Sequence, residues 1–143
     1  MTIHRLTLDH ATRIIAAAFE KGHELGLKPL SIAVLDAGGH LIAFQRSDGA
    51  SLMRAQIAAG KAAGALAIGV SSRAIGVMAA ERPSFVAALA NIAPQGLVPA
   101  AGGVLITGGD GIIGAVGITG DISDNDEICA LAGIRAAGLA PLN

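Results

Sequence analysis

LSIAVLDAGGHLIAFQRSDGA, residues 30–50, is the stretch from which the fold is read. Residues 30–36 and 40–46 are short runs of apolar and β-branched side chains. Between them, Ala37-Gly38-Gly39 supplies backbone that takes positive φ at no steric cost. The pattern predicts a β-hairpin. Arg46-Ser47-Asp48-Gly49 then places a cation and an anion at the end of the second strand, and Ser51 stands where a helix cap is expected. A hairpin that delivers charges to a helix start is either a binding site or ordinary punctuation, and the local sequence leaves both open.

On the N-terminal side, Ala11, Ile14, Ile15, Ala18, Phe19, Gly22 and Leu25 share one helical face, with Thr7 or Asp9 as cap and Gly26 and Pro29 as the stop. After the hairpin, residues 51–69 predict a helix built almost wholly from Ala and Gly, with Arg54, Gln56 and Lys61 as its polar residues. Ser71 or Ser72 starts a third helix that Pro83 ends, and residues 84–91 add a further helical piece. The Pro- and Gly-rich residues 94–99 form a loop, with room for an extra strand in residues 96–101. Residues 103–107 and 112–119 make a second hairpin. Both faces of 112–119 are apolar or small, which predicts cover on both sides, by helices on one and by a partner subunit on the other. Residues 124–138 close the chain as a helix, with Glu127 three residues after Asp124 in the spacing of a capping box. The expected order is α-β-β-α-α-β-β-α: an α+β fold with an antiparallel sheet made of two hairpins and helices packed on it, in one domain over residues 1–143.

Composition narrows the function. The formal net charge is −1, so no basic field recruits nucleic acid or an anionic membrane. Lys61, Arg73 and Glu81 interrupt the most apolar region before it reaches the length of a membrane span, and the charged first residues do not read as a secretory signal. Cys129 is the only cysteine, which points to a reducing, cytoplasmic setting. Hydrophobic residues make up 52% and aromatics only 2%, so a core of alanine, glycine and aliphatics must bring backbones close together. So short a chain cannot hide that much apolar surface internally, and a homo-oligomer is expected.

Candidate chemistry is sparse. Arg54 and Lys61 lie seven residues apart, on one helical stripe and roughly 10 Å apart. That stripe is either a solvated edge or the wall of an anion site. Lys61 sits among Ile57, Ala58, Gly64 and Ala65, and a half-buried lysine needs a partner or shifts its pKa. Arg46 offers a planar fork for a carboxylate, and with Lys61 and the backbone amides near Ser51 it would make a corner for an anion. His4, His10, His23 and His40 have no metal-site spacing, but a single axial haem ligand needs no pairing; His23, in register with Phe19, is the first candidate and His10 the second. Asp121, Asp124, Asp126 and Glu127 lack the glycine and distal glutamate of a calcium loop and read as capping and dipole complementation. No metal site is predicted.

Val34-Leu35-Asp36-Ala37-Gly38-Gly39-His40-Leu41, Arg46-Ser47-Asp48-Gly49-Ala50 and Lys61-Ala62 together resemble the GlcG/HbpS-like family, the haem-degrading-domain group. Gly102-Gly103-Val104 and residues 114–120 are similar to that family's glycine-rich second hairpin, and residues 124–133 to its closing helix. The resemblance spans nearly the whole chain. It implies a profilin-like α/β sandwich that assembles into oligomers, and it maps Lys61 onto a recurrent lysine. The expected ligand-binding set is Asp36, Gly38, Gly39, Arg46, Lys61, Gly102 and Gly103.

Two functions follow as expectations. The first is a small-ligand-binding protein for haem or another tetrapyrrole, held near a subunit interface. The second is an enzyme acting on a small organic acid, with Arg46 on the carboxylate and Lys61 or Asp48 as acid/base.

Overall fold

The computed structural model describes residues 2–142. Thr7 caps α1 (Leu8–Glu24) in a reciprocal box with His10, and α1 turns Ala11, Ile14, Ile15, Ala18 and Gly22 inward. The first hairpin follows as β1 (Ser31–Asp36) and β2 (Leu41–Arg46). Its turn is fastened by Asp36, whose Oδ1 accepts from the amides of Gly38 at 2.9 Å and His40 at 3.0 Å, while Gly39 takes φ +82°. Three helices come next: α2 (Arg54–Ile68), α3 (Ser72–Glu81) and α4 (Pro83–Ile92). Pro83 stops α3 as expected and also opens α4, a position where its missing N–H costs nothing. Residues 96–101 form no strand. The second hairpin, β3 (Gly103–Thr107) and β4 (Ile112–Thr119), leads into α5 (Ser123–Ala136) and a short closing strand, β5 (Ala140–Leu142), that the sequence reading did not contain.

The sheet is antiparallel throughout, in the order β2-β1-β4-β3-β5. Ile32, Val34, Val104, Ile106, Val116 and Ile118 face α1 and α5 and build the main core with Ile14, Ile15 and Ile134. Each such side chain removed from water contributes about 1.5–3 kcal/mol. Ala33, Leu35, Leu105 and Ala115 face the other way, onto Ala58, Ala62, Ala63 and Ala65 of α2. Ile75, Val86 and Leu97 tie α3, α4 and the following loop into a third, smaller cluster.

The two-sided apolar strand 112–119 is therefore covered on both faces by this same chain, by α1 and α5 on one and α2 on the other. The partner subunit expected on its second face is not needed there. Glycine makes the second cover possible: a Cβ on Gly117 would run into the backbone of Ala58, and one on Gly103 into the backbone of Lys61. The α1–α5 contact uses the same device, since a Cβ on Gly133 would lie 2.6 Å from the Ile14 carbonyl oxygen. No single helix is long and apolar enough to cross a membrane.

Candidate ligand site

The residues expected to bind a ligand divide among three places. The first is an open cleft of about 590 Å³ between the C-terminal half of α1 and the open end of the first hairpin. Phe19, His23, Leu27 and Pro29 line one side, and Gln45, Arg46, Ser47 and Asp48 the other. Arg46 and Asp48 both line this cleft. His23 joins them because Phe19 and His23 are one helical turn apart, and its ring has no hydrogen-bond partner among the described residues. A smaller pit lined by Gly22, Lys28 and Leu30 continues the cleft under Phe19 and His23.

Gly38 and Gly39 lie at the opposite, turn end of the hairpin. They border a second cleft of about 230 Å³ with Ala63, Leu66, Pro94 and Gln95. Asp36 is taken up by the turn itself, where the His40 and Gly38 amides hold its carboxyl below the usual carboxylate range.

Lys61 lines neither cleft. Its side chain is buried, with Nζ donating to the Ile118 carbonyl at 2.9 Å and to Asp126 Oδ2 at 3.2 Å. The anion corner expected from Arg46 and Lys61 is therefore not assembled: a carboxylate of the chain already holds the ammonium. Burial pushes the Lys61 pKa down and that of Asp126 up. Gly102 and Gly103, also expected at the ligand, lie against this lysine, and their lack of a Cβ lets α2 and β3 touch. The Gly103 amide donates to Ser72 Oγ at 2.6 Å.

The acidic group at the start of α5 does not cap the helix as expected. Residue Ile122 occupies the cap position, and no side chain caps the helix. Asp126 takes Lys61, while Arg73 of α3 spans Asp124 and Glu127, with its Nε 3.0 Å from Glu127 Oε2. Asp121 accepts from the amides of Lys28 and Ile122 and from Asn125 Nδ2, which lowers its pKa to about 2. The capping-box reading of Asp124 and Glu127 missed Arg73 because a partner on another helix leaves no mark in local spacing. Ser51 likewise does not cap α2; Met53 holds that position without a side-chain bond. Cys129 is buried in the main core, which raises its thiol to about 11.

His10 is occupied. The Thr7 amide donates to its Nδ1 at 3.1 Å, so a neutral ring carries its proton on Nε2 and has no lone pair left for a metal. His40 sits 3.3 Å from Asp36 and His4 3.7 Å from Asp110, each exposed.

The family model described as haem degrading protein HbpS-like matches residues 6–135. The chain belongs to the HbpS-like family. Among solved structures, the HbpS-like chain is similar to HbpS, with 29% identity, a TM-score of 0.80, and coverage of 94% of this chain and 92% of that one. It shares its fold with the protein in a PduOC:haem complex, at 22% identity and TM-score 0.86, covering 97% of this chain and 99% of that one. It shares it too with the Klebsiella pneumoniae protein ORFY, at 24% identity and TM-score 0.85, covering 96% and 94%. No curated protein matches the chain.

Proposed function

We propose that this HbpS-like chain binds haem or a related tetrapyrrole in the cleft between α1 and β2, as a homo-oligomer whose subunits meet near that cleft. One observation carries the reading: Phe19, His23 and Arg46 come from two elements to line the same cleft. The ring of Phe19 supplies a face for the macrocycle and the free imidazole of His23 an axial ligand. Arg46 stands at the rim of the cleft, where β2 ends, and offers a fork to a propionate that reaches round the strand end toward the α2 side of the sheet. The volume falls within the range of small-molecule sites, about 300–1,000 Å³. The family and the solved haem complex of PduOC support the choice of ligand. Exposed large apolar side chains, Leu52, Met53, Ile92 and Ile122 among them, support assembly. Of the two residues expected for acid/base work, Lys61 is bound to Asp126 and lies away from the cleft, which leaves Asp48 beside His23 and removes the lysine on which the enzyme reading leaned.

Titration of the purified protein with haemin tests this. A saturable Soret band should appear, shift or vanish in His23→Ala, and weaken in Arg46→Ala, while His10→Ala keeps the wild-type spectrum. Identical spectra in the wild type and His23→Ala would exclude the cleft as the haem site.

A further inference from the structure

The second cation at this end of the sheet is Arg54. Strand register lays Arg46, Ser31 and Thr119 side by side across β2, β1 and β4. Ser31 stands two residues before Ala33, which faces α2, so the row lies on the α2 side of the sheet. Arg54, the first residue of α2, donates from Nη1 to Thr119 Oγ1 at 2.8 Å. Next to Thr119 in the row, Ser31 is fully buried, and its hydroxyl has no hydrogen-bond partner among the described residues. A buried hydroxyl left unpaired is rare in a folded protein and calls for a partner.

The charge balance at the start of α2 is also one-sided. The N-terminus of α2 has no capping side chain and no acidic residue in its first turn, and Arg54 puts a cation at the positive pole of the helix. Neither Arg46 nor Arg54 has an ion pair among the described residues. The field reaches two turns along, where the charge of Arg54 adds to burial in lowering the pKa of Lys61. Asp126, the carboxylate in reach of that lysine, is committed to it.

We infer that this sheet end is a carboxylate-binding site, in which Arg54 and Arg46 hold the anion and the hydroxyls of Ser31 and Thr119 orient it. A carboxylate is planar and offers two oxygens, which suits a guanidinium fork on one side and a hydroxyl donor on the other. An anion there would also relieve the repulsion between Arg54, Lys61 and the helix pole. The carboxylate belongs either to a free small acid or to the propionate of a tetrapyrrole; in the second case the site rests on the haem reading above.

The test uses the whole chain with malonate, haemin and haemin dimethyl ester, which lacks free carboxylates. Malonate binding is read by calorimetry and haem binding by the Soret band. Arg54→Met is expected to weaken at least one carboxylate probe tenfold or more, with Arg54→Lys recovering part of the loss. Ser31→Ala should weaken the same probe several-fold while its melting temperature without ligand stays level or rises, because an unpaired hydroxyl is removed. A free-acid site shows as malonate binding that His23→Ala leaves intact. A propionate site shows as haemin binding that the dimethyl ester and Arg54→Met reduce alike. Loss of every Soret signal, with malonate binding kept, would defeat the haem reading and leave this site standing. The site is overturned if wild-type protein takes no malonate and binds haemin and its ester equally or not at all. It is equally overturned if Arg54→Met and Ser31→Ala bind all probes as the wild type does.

Discussion

Lys61 is the residue whose meaning changes most between sequence and structure. Its apolar helical neighbours correctly call for a partner, but Asp126 lies 65 residues away on another element, and no local pattern names it. Burial disfavours both charges of the pair, which sets the sign of its pH dependence. With the Asp126 pKa raised, the folded state binds the extra proton just above 3.8, so this contribution to stability falls as pH climbs through that window. With the Lys61 pKa lowered, the unfolded state holds the extra proton below 10.5, so stability rises with pH there. The pair is thus a net cost near neutrality, yet breaking it on one side is worse. Lys61→Met should lose about 3–5 kcal/mol in urea unfolding, because Asp126 is left buried without its counter-ion, and adding Asp126→Leu should restore most of it. Asp121 behaves in the ordinary acidic sense. Its stabilising effect is complete above 3.8 and disappears as pH falls from there to about 2. A carboxyl titration by NMR should place its midpoint near the lower value, and Asp121→Asn should flatten the acid limb of the stability curve.

At the level of elements, what local chemistry dictates was legible. The turn at Gly38 and Gly39, the Thr7 cap and the break at Pro83 all act within a few residues of themselves, and the helices and hairpins fall where those signals put them. What depends on distant packing was not. β5 is only three residues long and exists because β3 offers it an edge, and α2 starts at Arg54, whose side chain reaches Thr119 on β4, with no side-chain cap from Ser51. The glycines carry a sharper expectation. Gly117→Ala drives a methyl group into the α2 backbone at Ala58, so chemical unfolding should show a loss at or above the 1–3 kcal/mol usual for overpacking. The same change at Gly109 meets open space, and its smaller cost comes only from the positive φ. Thr7→Ala should cost about 1 kcal/mol of stability through the lost cap.

For the whole molecule, family and architecture follow from the order of motifs along the chain, whereas the cleft does not. Phe19 and His23 can be paired from helical spacing, and Arg46 stands out at a strand end, but only the packing of α1 beside the edge strand β2 turns them into one lining. Assembly is the expectation that composition supports most directly. Light scattering at micromolar concentration should give at least twice the 14.1 kDa chain mass, and a stable monomer would leave Leu52 and Ile92, 85% and 77% exposed, without a partner. The α2 side of the sheet has one more consequence. Alanine and glycine lose almost no rotamer freedom on burial, so this seam closes at little entropic cost. At Gly103 and Gly117, where backbone meets backbone, no side chain lies between that could swing aside. An intruding methyl cannot be absorbed by local rearrangement and must lift the whole helix from the sheet, so damage there should be all or nothing, where the isoleucine-rich face opposite degrades by degrees.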